Sequence, residues 1–369
     1  MSEENSSTIS HLPVAMTTTE NDEVQTAGAT GMTSSSSRGP ENLEFYFQSV
    51  LVIIGVVGVA ANALIIYAMI ASNQHKKQLL IFNQNIFDLC SSLLLVVTFA
   101  VKLSNIHLSG ALGYWLCMLI ITENLLWGSV NGGQINLMTV TIERYLKVVH
   151  HKATWSKKLL RKWVKISAAA IAWILGIVYD MVLVFCTSDM VNGVCYYYVF
   201  WSSPTAALAH GIWHIAFFLV FELFIFIFCY GRILVVIRRQ ARVMASHSEP
   251  GPSTSRENQS HQIQTNVIKT MITVSVVYAI TWAPGYGIYM LQHIVPSYRM
   301  YMRGYYVTIF LEFLYISANP FIYAIKFDPV RRVLVRLIPW HNGSHPPADT
   351  GGGGGGTRAV GIRTTQEQH

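Results

Sequence analysis

Charge is what this chain has least of. Asp, Glu, Lys and Arg make up 12% of its 369 residues and hydrophobic types 52%, against about 25% charged in a typical soluble domain. That balance excludes a water-soluble fold and describes a protein that lives in lipid. An apolar leader is also missing. Residues 1–46 are rich in Ser, Thr and Glu, so no cleavable signal peptide is evident and the first apolar run itself directs insertion. No repeat relates the two halves, as a transporter built on inverted repeats requires. His210 and His214 form an i, i+4 pair, but Glu222 lies two turns further on and no other ligand set accompanies them. A membrane metallohydrolase is therefore disfavoured; no catalytic set, metal or cofactor is expected apart from the sodium ion considered below.

What is present is seven apolar runs. Stretches nearly free of charge cover residues 50–72, 79–100, 118–142, 166–185, 205–230, 271–295 and 305–325. Each meets the roughly 20 residues that a helix needs to cross about 30 Å of hydrocarbon. The expected fold is an all-α membrane protein, a seven-transmembrane helix bundle over residues 47–325. An odd number of spans puts the termini on opposite sides. All but four of the 26 Lys and Arg residues, the exceptions being Arg38, Lys102, Arg299 and Arg303, fall on the side reached after spans 1, 3, 5 and 7. The positive-inside rule makes that side cytoplasmic and the N-terminus extracellular, as in a multi-pass protein of the plasma membrane. The net charge of +7 is then mostly topology, and no nucleic-acid partner is needed to explain it.

Outside the spans, residues 1–46 read as a disordered extracellular tail with one glycosylation sequon at Asn5. Residues 246–264 read as a flexible inner loop, and residues 339–369 as a disordered cytoplasmic tail. Between the last span and that tail, residues 326–338 hold apolar Phe327, Val330, Leu334 and Leu337 with basic Arg331, Arg332 and Arg336. This spacing suits an amphipathic helix on the inner leaflet, with membrane lipid as its partner. The five cysteines divide by depth: Cys90 and Cys229 lie within spans, whereas Cys117, Cys186 and Cys195 lie towards the oxidising side, where spacing alone leaves their pairing open.

Polar residues inside a bilayer are functional by default, and here they fall in order. Asn62 lies in span 1, Asp88 in span 2, Glu143-Arg144-Tyr145 at the end of span 3 and Trp173 in span 4. Thr281-Trp282-Ala283-Pro284 follows in span 6 and Asn319-Pro320-Phe321-Ile322-Tyr323 in span 7. Over residues 48–338 this set resembles the rhodopsin-like (class A) G-protein-coupled receptors. The resemblance implies a receptor that binds an extracellular ligand and activates a heterotrimeric G protein by outward movement of span 6. It also implies a Cys117–Cys195 disulfide, with Cys186 as the competitor. In such receptors the counterpart of Arg144 leaves Glu143 on activation and contacts the G protein, while those of Tyr230 and Tyr323 swing towards it.

Physical chemistry gives these positions their constraints. Arg144 cannot lose its proton, so it needs a carboxylate or water. Asp88, near mid-bilayer, must be neutral, ion-bound or hydrogen-bonded; the resemblance implies a sodium ion there, with Asn62 and Asn319 nearby, and a water-filled polar cluster is the alternative. Pro284 removes a backbone hydrogen bond and kinks span 6, with Trp282 beneath the ligand cavity.

The chain also departs from the resembled pattern. Gly133, Tyr315 and Ile316 stand where small polar side chains often complete the ion shell, and Asn131 and Asn136 compensate only if they face inward. Gln264 stands where an acid on span 6 often restrains the arginine, which implies a looser resting state. Glu222 stands where span 5 usually bends at a proline. Cys117 lies 27 residues before Arg144, two more than is usual, which shifts the outer half of span 3. Leu126 replaces the amine-binding aspartate and Phe313 the retinal lysine of opsins, so neither sub-family is expected. The expected ligand wall is Glu123, Trp127, His214, Tyr286, Tyr289, Ile309 and Glu312, with Tyr196, Tyr197 and Tyr198 above. An acidic, tyrosine-rich face favours a peptide ligand, basic or amidated, with a lipid or other small molecule as the alternative.

Overall fold

A computed structural model of the chain describes residues 39–246, 252–294 and 302–337. Among the described residues, seven helical spans are long and apolar enough to cross a bilayer: Leu43–Ala71, Leu79–Leu103, Gly110–Val149, Lys162–Thr187, Pro204–Gln240, Ile268–Leu291 and Tyr306–Lys326. Lipid offers no partner to a backbone N–H or C=O, so runs of this length pair their own groups as helices. A short antiparallel strand pair, Asp189–Val191 and Val194–Tyr196, lies in the loop after span 4, with Met190 opposite Cys195. The spans form a ring in which span 7 returns to span 1, and span 3 touches spans 2, 4, 5 and 6. The end carrying Cys195 is termed outer and the end carrying Arg144 inner.

Close approach of two helices needs small residues where no hydrophobic force drives association. Spans 3 and 4 meet this way: a Cβ on Gly176 would stand 2.5 Å from the carbonyl oxygen of Gly128 and from the amide nitrogen of Gly132. Beside this seam Trp173 stacks on Phe87 at 3.8 Å between ring centroids and donates Nε1–H to Oδ1 of Asn83 at 3.2 Å. Span 4 is thereby held to span 2 as well.

Two spans are interrupted helices. Span 3 runs as a helix over Gly110–Leu116, widens into a π-turn over Cys117–Ile121, breaks at Glu123, which is left-handed with φ 62°, and resumes as a helix over Asn124–Val149. The two surplus residues between Cys117 and Arg144 are taken up there, because a π-turn holds more residues per turn than an α-helix. From Asn124 inward the register is regular, so Leu126 keeps its place relative to Arg144, whereas Glu123 leaves the helical face. Span 5 contains a second π-turn, Ala216–Phe221, directly before Glu222. It supplies the irregularity that a proline supplies elsewhere.

Three boundaries correct the sequence reading. The first helix begins at Gly39, so residues 39–46 belong to it and not to the tail. Pro40 suits a helix start, and Phe47 stacks on Tyr306 at 4.2 Å, tying the helix to span 7. Span 6 belongs to a 43-residue helix, Pro252–Ile294, so most of the segment read as a loop extends that span. Elongating an existing helix avoids the cost of a new nucleus. The amphipathic helix covers Asp328–Leu337, with Val330 buried and Asp328 accepting from Asn266 Nδ2 at 2.8 Å. Asn5 and the tail 339–369 lie outside the described residues, as does the side chain of Gln264.

Candidate functional site

The inner mouth is built around Glu143 and Arg144, 4% and 5% exposed. Glu143 Oε2 lies 3.1 Å from Nη2 of Arg144, while its Oε1 takes Lys147 at 2.8 Å and Lys165 at 3.3 Å. Three cations thus share one carboxylate. Arg144 Nη2 also donates to Oε1 of Gln78, at the start of span 2. Tyr145 turns away from the arginine; its hydroxyl meets His150 Nε2 at 3.0 Å. Tyr230 does not reach Arg144 either, since its hydroxyl pairs with Thr141 at 3.0 Å and Ser275 at 3.4 Å, bridging spans 3 and 6. Tyr323 is buried, and its hydroxyl has no hydrogen-bond partner among the described residues.

Deeper in the bundle, Asp88 accepts from Asn319 Nδ2 at 3.0 Å and from Gln84 Nε2 at 3.3 Å. Asn62 is not in this set: it donates to the carbonyls of Gly58 at 3.0 Å and Ile316 at 3.4 Å, linking span 1 to span 7. Asn131 does not compensate, since it is bound to Asp180 on span 4 at 2.7 Å. Asn136 acts at one remove, holding Oε1 of Gln84 at 2.8 Å. A cavity of about 10 Å³ beside Asp88 is lined by Gln84, Ser91, Ser129, Gln134, Trp282 and Tyr315 among others. That is about the space of one water molecule. The carboxylate, two hydroxyls and a phenol around it are oxygen donors of the kind hard cations take.

Above this cavity an aromatic column rises along span 6. Trp282 lies 5.6 Å from Tyr278, 5.7 Å from Tyr286 and 6.3 Å from Trp127. Tyr278 donates to the carbonyl of Phe218 at 2.9 Å, satisfying an acceptor within the π-turn of span 5. Pro284 lies inside a continuous helix, as does Pro320 in span 7. Immediately after Pro284, a Cβ on Gly285 would come within 1.8 Å of Oε1 of Glu312, so only glycine admits that carboxyl against the span 6 backbone. Glu312 is therefore a contact of the span 6 backbone beside Pro284, a placement the ligand-wall reading did not foresee.

At the outer end Glu123 forms an ion pair with Lys102 of span 2 and accepts from Trp127 Nε1 at 2.9 Å. The Lys102 ammonium sits over the rings of Phe99, at 5.1 Å, and Tyr197, at 5.6 Å. Burial pushes the Tyr197 phenol above its ordinary pKa, with Lys102 opposing the shift, so the ring stays neutral under the ammonium. His214 Nδ1 and His210 Nε2 meet the Tyr179 hydroxyl at 3.0 and 2.9 Å, and the His214 ring lies 5.6 Å from Tyr286 and 5.9 Å from Tyr289. Cys117 and Cys195 are bonded, and Cys186 is free and exposed. Tyr198 reaches the carbonyl of Thr122 at 3.4 Å, so the loop roofs the break in span 3.

Sequence reasoning missed Lys102, Gln78, Gln84, Ser91 and Ser129. Lys102 alone carried a signal, being a lysine that closes an apolar span on the sparsely basic side; the others are ordinary polar residues until neighbouring helices turn them inward.

Seven spans, a buried arginine at one mouth and a disulfide-held roof at the other define a multi-pass membrane protein of the receptor class. The chain belongs to the family described as 7 transmembrane receptor (rhodopsin family), which matches residues 61–323. It is 23% identical to melanopsin of Felis catus over 314 residues, 81% of this chain and 62% of that protein. It is likewise 23% identical to melanopsin-B of Gadus morhua over 319 residues, 81% of this chain and 49% of that protein. The fold is similar to the crystal structure of squid rhodopsin, with a TM-score of 0.65 at 14% identity, covering 83% of this chain and 88% of that one.

Proposed function

We propose that this protein is a plasma-membrane receptor, with its N-terminus outside, that couples an extracellular ligand to a heterotrimeric G protein by outward movement of the inner end of span 6. The observation that carries the reading is Arg144: a permanent cation buried at the inner mouth, held by a shared carboxylate and a neutral amide. A ligand that prefers one arrangement of the outer aromatics shifts the population of the whole bundle. Span 6 is the element suited to move, because Pro284 leaves its ladder one bond short and, below Trp282, Tyr230 joins it to span 3 through hydroxyl contacts.

For the ligand, a peptide is the first class to screen, because the roof presents Tyr196, Tyr197 and Tyr198. The acidity that favoured a basic peptide is largely engaged: Glu123 is paired with Lys102, and Glu312 lies against the span 6 backbone. A small molecule or lipid is the alternative within the same mechanism. The two melanopsins support a second reading, a light receptor. Against it, Phe313, 1% exposed, fills the position where opsins keep the lysine that holds retinal. Incubation with retinal that produced a visible absorption band would favour the light receptor and end the peptide reading. We also propose that the cavity beside Asp88 holds a sodium ion or a single water.

The coupling test needs no ligand. Membranes holding the wild type should catalyse GTP-analogue uptake by at least one heterotrimer, and Arg144→Ala should abolish that uptake at equal surface expression. Undiminished uptake in Arg144→Ala removes the mechanism.

A further inference from the structure

Gln78 stands at the first inner turn, between the short helix Gln74–Lys77 and span 2. Its backbone is pinned on both sides, the N–H donating to the carbonyl of Gln74 at 2.8 Å and its own carbonyl accepting from the amide of Phe82 at 2.9 Å. The side chain therefore leaves a fixed platform, and it ends on the guanidinium of Arg144. The other restraint on that arginine is divided, because Glu143 serves Lys147 and Lys165 as well. No acid stands at position 264 of span 6 to add a second counter-charge.

We propose that Gln78 is the second restraint on Arg144, a positioning residue that holds the resting state in place of an acid on span 6. This rests on the receptor reading above. A neutral amide grips a guanidinium through one charge-assisted hydrogen bond. When Arg144 leaves, Gln78 is left with no charge to strand and Glu143 keeps Lys147 and Lys165, so giving up the Gln78 contact costs less than breaking a second ion pair would. The gate on coupling is thereby moved from span 6 to the first inner turn, beside the exposed Lys76 and Lys77. Its setting depends on the charge of residue 78.

The test is a pair of opposite substitutions. Gln78→Ala removes the acceptor and should raise ligand-free GTP-analogue uptake about tenfold, the scale of one hydrogen bond to a charged group. Gln78→Glu turns the contact into an ion pair and should push uptake below wild type. A folding defect would move both variants the same way. The second measurement needs no G protein. Spin labels on Lys76→Cys and Lys269→Cys, in a Cys186→Ser background, report the distance from the first inner turn to span 6. That distance should lengthen in Gln78→Ala and hold or shorten in Gln78→Glu. If Gln78→Ala changes neither uptake nor distance, or both substitutions shift them in the same direction, the proposal is overturned. If the distance lengthens while no heterotrimer responds to any variant, the restraint stands and the G-protein reading falls.

Discussion

Lys102→Met isolates the outer ion pair with the least disturbance to packing, because Met keeps an unbranched side chain of similar length without the ammonium. The substitution removes the ammonium from Glu123 and from the faces of Phe99 and Tyr197. Breaking a fully buried pair costs about 3 to 5 kcal/mol, since the survivor is left without its counter-charge. Here the side chains retain 14% and 15% exposure, and Glu123 keeps the Trp127 hydrogen bond. The lower end, about 3 kcal/mol, is therefore expected. Glu123→Gln should cost less, because an amide oxygen still accepts from Trp127. In the double variant neither charge is stranded, so its loss should fall short of the sum of the single losses by about 2 kcal/mol, within the range measured for contacting pairs. Thermal unfolding of the purified receptor in detergent, with single and double variants compared under one condition, reads these differences. If Lys102→Met lies within about 0.5 kcal/mol of wild type, or the two losses add, the pair does not hold the break in span 3 to span 2.

Gly176→Leu should lose folded protein by about 3 kcal/mol or more, since overpacking meets backbone that cannot yield; size-exclusion profiles should show aggregation, while Gly231→Ala, whose added Cβ meets nothing within 4 Å, should run as wild type. Cys195→Ser and Cys117→Ser should each reduce folding on the scale of a native disulfide, about 2 to 5 kcal/mol. Their double variant should be little worse than either, and Cys186→Ser should be mild; a peptide map showing Cys117 joined to Cys186 in the oxidised protein would contradict this pairing. Wild-type protein should melt at a higher temperature in sodium chloride than in choline chloride, and Asp88→Asn should erase the difference. Equal melting of the wild type in both salts would leave the cavity to water.

Hydropathy alone locates the seven spans, because a chain in lipid must satisfy its backbone locally, and local satisfaction is written in consecutive residues. The order of Asp88, Arg144, Pro284 and Asn319 points to the family for a related reason: each is costly in hydrocarbon at its own depth, whatever surrounds it. Boundaries are less legible, since the helix from Gly39 and the extension from Pro252 continue through polar residues that carry no membrane signal. What only the tertiary structure decides is which polar group meets which. Glu123 reads as a free acid until Lys102 of another span closes on it, and Glu312 reads as ligand wall until Gly285 gives it room against span 6. The surplus between Cys117 and Arg144 can be counted, but its placement in a π-turn and one left-handed residue depends on how the disulfide and the roof hold the top of span 3. Gln78 and Arg144 are 66 positions apart, and nothing in either neighbourhood records their contact. Pairings of this kind depend on the rotation of one helix against another, which is set by the close packing of small residues such as Gly128, Gly132 and Gly176 across a seam that no single segment contains.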